Sequence, residues 1–207
     1  MAAELARYNC HPMDEFLDLL NAQQQAAVAA PAGPTLILAG PGSGKTRVLT
    51  YRIAYLIGVM QVPSYRIMAV TFTNKAAKEM GSRVEKLLAT QAAGIWLGTF
   101  HGLCGRILRR EADLLPVDAQ FVIFDADDQQ SLMKLIVKEA NLDEKLYRPA
   151  SVLDAISRAK NELIGPEDYP VKNFRDEQLR RFYLRYQQLL IQNNAMDFDD
   201  MLMYTNS

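Results

Sequence analysis

The sequence predicts an α/β fold in which a parallel sheet carries helices on both of its faces, followed by a unit built of helices alone. Over residues 36–108, three apolar runs alternate with three segments of helical periodicity. This alternation is typical of parallel strands joined by right-handed crossover helices. From Asp125 onward the apolar residues recur only at helical spacing. The chain is therefore expected to have two structural parts, of which the second lacks the sheet pattern.

Length and composition describe a globular protein. The chain has 207 residues, 49% of them hydrophobic and 23% charged, and no apolar run approaches the ~18 residues that span a bilayer. We therefore expect no membrane partner and, since the N-terminus lacks a secretory signal, a cytoplasmic location. The formal net charge of −1 means that a surface for nucleic acid would have to be local. Cys10 and Cys104 are expected to be free thiols that form no zinc site with His11 and His101.

The N-terminal part is expected to contain a flexible tail, short helices, and the first strand and helix of the sheet. Residues 1–13 show no periodicity, whereas residues 14–30 carry apolar side chains at spacings that favour short helices. The apolar run 36–38 (Leu-Ile-Leu) predicts a buried strand, and residues 47–56 predict the helix after it. The loop between this strand and this helix is the most informative segment of the chain.

Residues 39–46 read Ala-Gly-Pro-Gly-Ser-Gly-Lys-Thr. In a glycine-rich loop between a strand and a helix, backbone N–H groups and the positive end of the helix bind phosphate groups. Gly42 and Gly44 stand where a side chain would block that approach. We expect Lys45 to reach the β- and γ-phosphates of a nucleotide and the Thr46 hydroxyl to ligate the Mg²⁺ ion bound to it.

A plain glycine turn before an ordinary helix is the alternative explanation of this loop. The register of strand, turn, Lys-Thr pair and helix favours the phosphate site. Lys45 and Thr46 are the predicted catalytic residues. The predicted nucleotide contacts of this segment are Ala39, Gly40, Pro41, Gly42, Ser43, Gly44, Lys45, Thr46 and Arg47.

Two further pairs of strand and helix follow the loop. Residues 67–72 and 94–99 are apolar runs of strand length. Between these two runs, the sequence predicts an amphipathic helix with its apolar residues on one face. After the second run, a third predicted helix has a buried apolar stripe from Phe100 to Leu108. Ligands of such sheets bind at the carboxyl ends of the strands, where the phosphate loop is expected to lie.

The helical part contains three predicted helices, around residues 132–140, 152–163 and 179–190. Before them, the apolar run 121–124 ends at Asp125, which allows two interpretations. Asp125 is either the acid at the end of a strand that holds Mg²⁺ through water, or the N-cap of a helix that begins at Ala126. The cap is favoured, because the region that follows is purely helical.

Five separated segments resemble one family of enzymes. They are residues 20–24 (Leu-Asn-Ala-Gln-Gln), the loop 39–46, and the stretches 71–80, 99–104 and 196–200. Together, and in this order, they resemble the UvrD/PcrA/Rep-type superfamily 1 DNA helicases. The resemblance implies a P-loop NTPase (RecA-like) parallel sheet with an inserted all-helical subdomain. It assigns residues 14–115 to lobe 1A, 116–192 to subdomain 1B and 193–207 to the return into lobe 1A.

The resemblance also implies roles for individual residues. Gln24 would read the adenine edge, since an amide offers both a donor and an acceptor. Contacts with single-stranded DNA would be made by Thr71, Phe72, Thr73, Asn74, Thr99, Phe100, His101 and Phe198. Aromatic rings stack on bases without reading sequence, and short polar groups at helix starts hold phosphates. The alternatives are core packing for Phe72 and Phe100, a satisfied or surface histidine for His101, and helix capping for the acids of residues 196–200.

Basic residues of the helical part allow two interpretations. They either contact DNA phosphates or, as such charges more often do, form solvated helix faces. These residues are Lys160, Lys172, Arg175, Arg180, Arg181 and Arg185.

The activity implied by the resemblance is that of an ATP- and Mg²⁺-dependent 3′-to-5′ DNA helicase. Its substrates would be single-stranded and junction DNA in repair or replication, with accessory proteins that the sequence does not identify. The chain ends before the family's Walker B segment, so we expect a fragment that binds nucleotide and DNA weakly without unwinding. Two alternatives are a small-molecule kinase that uses Asp125 as its Mg²⁺ acid, and a non-catalytic binding module.

Overall fold

The computed structural model describes residues 17–88, 93–142 and 146–206. The chain divides into two compact units, Met1–Phe100 and His101–Ser207. The elements of the first unit are α1 Ala22–Val28, α2 Lys45–Gly58, β1 Met68–Thr71, α3 Asn74–Leu88 and β2 Trp96–Thr99, and α4 Phe100–Arg110 begins at its last residue. Those of the second unit are β3 Val122–Phe124, α5 Ala126–Glu139, α6 Pro149–Asn161, α7 Phe174–Gln192, β4 Ala195–Asp197 and α8 Phe198–Asn206.

The first unit is built around a parallel pair of strands joined by a helix. β1 and β2 run parallel, with Met68 opposite Trp96 and Thr71 opposite Thr99. Their core is formed with the buried faces of α2 and α3, to which Ile53, Met80 and Val84 contribute. This confirms the second and third predicted strands and the helices that the periodicity indicated. The carboxyl ends of both strands lead directly into polar segments and helix starts.

The predicted first strand is wrong. Residues 36–38 belong to no strand, and the side chains of Leu36 and Leu38 are 84% and 88% exposed. An apolar run becomes a strand only where a neighbouring strand completes its hydrogen-bond ladder. Within the described ranges, β1 pairs with β2 and β3 pairs with β4, and neither sheet includes residues 36–38. The fold class is therefore confirmed as mixed α/β with short parallel sheets, while the larger RecA-like sheet stays a prediction.

The second unit packs three helices around one core, as predicted. Val137 from α5, Ile156 from α6, and Tyr183 and Tyr186 from α7 are buried at its centre. The sequence did not predict its sheet: β3 pairs in parallel with β4, and Phe124 lies opposite Asp197. The predicted boundaries of subdomain 1B, 116–192, remain a prediction.

Asp125 is the N-cap of α5, as predicted. Its Oδ1 accepts hydrogen bonds from the backbone N–H groups of Asp127 and Asp128 at 2.9 and 3.0 Å. Asp128 Oδ2 accepts a bond in return from the Asp125 N–H at 3.1 Å, which completes a capping box. The carboxylate that would hold Mg²⁺ in a kinase is thus committed to starting a helix.

For Lys160, both interpretations given to the basic residues of the helical part are wrong. Its side chain is buried, and Nζ lies 2.7 Å from Asp197 Oδ2 and 2.8 Å from Asp200 Oδ1. It therefore neither contacts DNA phosphates nor forms a solvated helix face. An ammonium taken out of water needs such partners, because the desolvation of an unpaired charge is very unfavourable. By contrast, the surface residues Arg181 and Arg185 form partly exposed ion pairs with Glu177 and Glu139.

Several predictions concern the ends of the chain and its surface. Cys10, His11 and the predicted tail 1–13 lie outside the described residues, and Cys104 is a half-buried free thiol. The short helix predicted within residues 14–30 is present as α1. In the ranges that the structure describes, no helix combines the length and the apolar character needed to cross a membrane.

Replacing Asp125 with alanine should destabilise the second unit. The variant leaves the first-turn N–H groups of α5 without their acceptor, so the free energy of unfolding should fall by about 0.5–2 kcal/mol. Urea denaturation followed by circular dichroism measures this change. Asp125→Asn, which retains a capping oxygen, is the matched control and should lose much less. Equal losses in the two variants would contradict the cap.

Candidate nucleotide and nucleic-acid site

The phosphate loop owes its shape to two glycines with left-handed backbone. Gly42 has φ 75°, and Gly44, the N-cap of α2, has φ 85° and ψ 26°. L-residues with a Cβ avoid this region, whereas glycine adopts it without steric cost. No side chain of the described residues caps α2. Its first-turn N–H groups are consequently available to an anionic ligand, and the helix dipole favours the same charge.

The loop is held together by its own polar groups. Ser43 Oγ donates to the carbonyl of Gly40 at 2.7 Å. Lys45 Nζ donates to the carbonyls of Ala39 and Gly40 at 3.2 and 2.8 Å. The ammonium thus lies over the loop and within reach of whatever the loop binds. Its present acceptors are neutral, and a phosphate oxygen would be a stronger one.

Gln24 links α1 to this loop. Its backbone N–H donates to Asn21 Oδ1 at 2.9 Å, and its Oε1 accepts from the Asn21 N–H at 3.2 Å, so that the two residues form a capping box. Its Nε2 donates to the carbonyl of Ser43 at 3.0 Å. A Cβ built on Gly44 would lie only 2.8 Å from this Nε2. The amide group of Gln24 therefore occupies the space that a side chain at position 44 would need.

A cavity of about 640 Å³ opens between α1 and the start of α2. Its polar part is supplied by Asn21, Gln23, Gln24, Gly40, Ser43, Lys45 and Arg52, and its apolar part by Ala27, Ile37, Leu38, Ala39, Val48 and Leu49. A volume of this size is typical of small-ligand sites with apolar walls and a few polar groups. No carboxylate of the described residues lines it. The cavity can therefore hold an anion and an apolar ring, but lacks an acid that would activate water.

The remaining predicted nucleotide contacts lie at the start of α2 or just before it. Pro41 is exposed in the loop, and Thr46 is exposed in the first turn of the helix. Arg47 faces elsewhere: its guanidinium donates to the carbonyl of Leu19 at 2.8 Å and lies 5.6 Å from the ring centre of Tyr51. The residue types fit a nucleotide triphosphate with Mg²⁺, since the start of α2 carries uncapped backbone N–H groups, the Lys45 ammonium and the exposed hydroxyl residue Thr46.

In the first unit, the predicted DNA contacts gather at the carboxyl ends of β1 and β2. Phe72 is 94% exposed and Phe100 is 52% exposed, and their ring centres lie 6.4 Å apart. Core packing is therefore not the role of Phe72. Thr73 caps α3 through Oγ1, which accepts from the Ala76 N–H at 3.1 Å, and Asn74 is the exposed first residue of that helix.

The two threonines of this edge are strand residues. Thr71 is buried, donates through Oγ1 to the carbonyl of Thr73 at 3.0 Å, and lies opposite Thr99 in the sheet register. It thereby fixes the turn that presents Phe72. An apolar ring directed into water next to polar helix starts is typical of a surface that binds a partner.

In the second unit, His101 and Phe198 contact each other. Their ring centres lie 5.1 Å apart in an edge-to-face arrangement, and Phe198 is 41% exposed. Phe198 begins α8, whose N-cap is Asp197: the Asp197 Oδ1 accepts from the Asp200 N–H at 2.8 Å, and Asp200 Oδ2 accepts from the Asp197 N–H at 3.2 Å. The prediction that these acids cap the adjoining helix is confirmed.

Burial perturbs the ionisation of Asp200, a buried carboxyl group close to Phe198. Burial raises the pKa of Asp200 to about 6, and the nearby ammonium of Lys160 offsets part of this increase. Burial also raises the pKa of Tyr186, so its hydroxyl stays protonated and donates to Asp197 Oδ2 at 3.0 Å. Sequence reasoning gave Lys160 the wrong role and missed the hydrogen bond of Tyr186, because the carboxylate partners of both residues are not close in the sequence. It also missed Asn21, although its spacing to Gln24 is that of a capping box.

A glycine-rich loop that opens a helix, next to a parallel β-α-β unit, is the pattern of the P-loop class of proteins. Within that class, the chain belongs to the UvrD/REP helicase N-terminal domain family, which it matches over residues 20–207. This confirms the family that the motifs predicted.

Two relatives show how far the similarity extends. The chain is 47% identical over 195 residues to the ATP-dependent DNA helicase PcrA of Staphylococcus epidermidis strain ATCC 35984. It is 46% identical over 195 residues to the PcrA helicase of Staphylococcus aureus strain Mu50. Each alignment covers 93% of this chain and 27% of the relative. The chain thus spans little more than a quarter of the length of these helicases.

Gly44→Ala should destabilise the first unit, whereas Gly40→Ala should not. Alanine at position 44 must adopt the left-handed region and meets Gln24 Nε2, so the free energy of unfolding should fall by at least about 1–2 kcal/mol. A Cβ at Gly40 meets no atom within 4 Å, so that variant should stay within about 0.5 kcal/mol of the parent chain. Thermal denaturation measures both, and equal stabilities would contradict the described loop conformation.

Proposed function

We propose that this chain is the ATP- and DNA-binding N-terminal part of a 3′-to-5′ DNA translocase and helicase. One observation carries the proposal. An uncapped helix start, the loop that Gly42 and Gly44 shape, and the Lys45 ammonium lie beside a cavity that Gln24 and apolar side chains also line. This arrangement offers phosphate-binding groups at one end and space for a flat base at the other.

The phosphates of ATP would exchange with the loop's own acceptors. Lys45 gives up the carbonyls of Ala39 and Gly40 for the β- and γ-phosphate oxygens, which carry charge and accept more strongly. The N–H groups at the start of α2 donate to the same phosphates. The Thr46 hydroxyl would be a ligand of Mg²⁺, and the ion neutralises charge on the transferred phosphoryl group. Gln24 would meet the adenine edge with its amide.

Single-stranded DNA would follow the exposed aromatic side chains. In the first unit, a base can stack on Phe72, while Thr73, Asn74 and the start of α3 hold phosphates. In the second unit, Phe198 offers a further ring, supported by His101. Since every base has a π-face, such binding would depend little on sequence. This suits a motor that moves along any strand.

The chain by itself should bind nucleotide without turning it over. Hydrolysis needs a group that positions water and further charges that stabilise the transition state. Among the described residues that line the cavity are the cations Lys45 and Arg52, and no carboxylate. Translocation, 3′-to-5′ polarity, action on junction DNA, and a role in repair or replication are proposed for the whole protein, by analogy with the PcrA helicases that the chain matches over 27% of their length.

Two other functions have less support. A kinase that uses Asp125 for Mg²⁺ would need a carboxylate that is engaged in the α5 capping box. A binding module that keeps the loop as a relic would not need the charge of Lys45. The following experiment separates that module from the motor.

Lys45→Ala should abolish most nucleotide binding. The variant removes the charge that faces the β- and γ-phosphates, so the affinity for ATP–Mg²⁺ should fall by tenfold or more, about 1.4 kcal/mol or above. Titration calorimetry measures the affinity. The control is Lys86→Ala, which removes an exposed lysine from α3. It has the same net charge as Lys45→Ala and should bind ATP–Mg²⁺ like the parent chain. Unchanged affinity of Lys45→Ala would refute the nucleotide site.

Phe72→Ala should weaken binding of single-stranded DNA. Loss of one base stack costs about 1–3 kcal/mol, or roughly 5- to 150-fold in affinity, without changing the salt dependence that phosphate contacts create. Fluorescence anisotropy with a labelled oligodeoxythymidylate at several salt concentrations measures both quantities. Tyr65→Ala is the control, since Tyr65 is 66% exposed in the same unit. Equal affinities of the two variants would contradict a stacking role for Phe72.

A further inference from the structure

We infer that Lys160 is a positioning residue that sets the orientation of Phe198 for base stacking. The inference deepens the proposed function and rests on it. Lys160 lies on α6, one residue before the end of that helix, and its ammonium reaches the two carboxylates that begin α8. Phe198 is the first residue of α8 and lies between those carboxylates in sequence.

The contacts of Asp197 and Asp200 define one geometry for this helix start. Lys160 Nζ joins Asp197 Oδ2 at 2.7 Å to Asp200 Oδ1 at 2.8 Å. The other two carboxylate oxygens accept the backbone N–H groups of the capping box. Tyr186 donates to Asp197 at 3.0 Å, and Gln187 Nε2 donates to Asp200 at 3.0 Å. Every carboxylate oxygen thus has a partner, and all these groups are buried.

Phe198 differs from its neighbours, because its ring is 41% exposed. Asp197 before it and Asp200 after it are 2% and 1% exposed. The backbone of Phe198 is thereby fixed on both sides, while its ring contacts the ring of His101 in an edge-to-face arrangement. A stacking ring is most effective when its orientation is set before the base arrives, since less freedom is then lost on binding.

Lys160 is the group that makes this arrangement possible. Two buried carboxylates in one helix turn repel each other unless a cation lies between them. Without the ammonium, one carboxyl must take up a proton or turn toward water, and either change breaks a contact of the helix start. A buried ion pair of this kind adds little net stability, but it can select one conformation. Its benefit here would be the fixed direction of Phe198.

The test is a double-mutant cycle in the full 207-residue chain. The single variants are Lys160→Met, Tyr186→Phe and Phe198→Ala, and the doubles combine each of the first two with Phe198→Ala. Tyr186→Phe removes one donor to Asp197 and keeps the ion pair, so it remains informative if Lys160→Met does not fold. Lys134→Met and Phe174→Ala are the controls: they change an exposed lysine and an exposed phenylalanine of the same unit.

Affinity for a labelled oligodeoxythymidylate is measured against salt, with circular dichroism to confirm that each variant is folded. Phe198→Ala should weaken binding by roughly 5- to 150-fold. Lys160→Met should weaken it by a similar factor and Tyr186→Phe by about threefold, both with an unchanged salt slope, because neither residue contacts phosphate. In the Phe198→Ala background, both changes should have almost no further effect.

The outcomes separate the inference from the function on which it rests. If Phe198→Ala binds like the parent chain, the stacking role of Phe198 fails, and the positioning role falls with it. If Phe198→Ala weakens binding but the effects of Lys160→Met and Tyr186→Phe simply add to it, the DNA contact stands and the positioning role is refuted. A reduced salt slope in Lys160→Met would also refute it, since that result would indicate a phosphate contact.

Discussion

The left-handed backbone at Gly44 is the constraint on which the geometry of the glycine-rich loop 39–46 depends. Because Gly44 turns the chain without a side chain, α2 begins with first-turn N–H groups that no side chain of the described residues caps. The same turn brings the Ser43 carbonyl to Gln24 and places Lys45 over the loop. Glycine is therefore required here for two reasons, the backbone angle and the space that Gln24 occupies.

In the second unit, charged side chains stabilise the start of a helix. Asp197 and Asp200 at the start of its helix α8 are buried, so their backbone N–H groups need acceptors within the protein. Two carboxylates cap that start, and Lys160 balances them. Both units thus present an aromatic ring next to a helix start whose geometry is fixed by buried or internally bonded polar groups. In the first unit Thr73 has this role for Phe72, and in the second unit Asp197 has it for Phe198.

Local signals in the sequence were sufficient for most of the helices and for the phosphate loop. The Asp125 cap was predictable because a capping box involves residues three apart. The absence of a strand at residues 36–38 was not predictable, since an apolar run looks the same whether or not a neighbouring strand completes its ladder. Strand β4 is only three residues long, and its sequence, Ala-Met-Asp, has no strand periodicity. The burial of Lys160 depends on Asp197, 37 positions along the chain, and no local pattern reveals that pairing.

The exposed Leu-Ile-Leu segment at 36–38 has a consequence for how the chain behaves in solution. Backbone that belongs to no strand, flanked by large apolar side chains, can align with the same segment of another molecule. Self-association should then grow with protein concentration and be favoured by salts that strengthen apolar contacts. Dilute samples and a charged substitution of Leu36, which does not line the cavity, are the practical means of keeping the molecules apart.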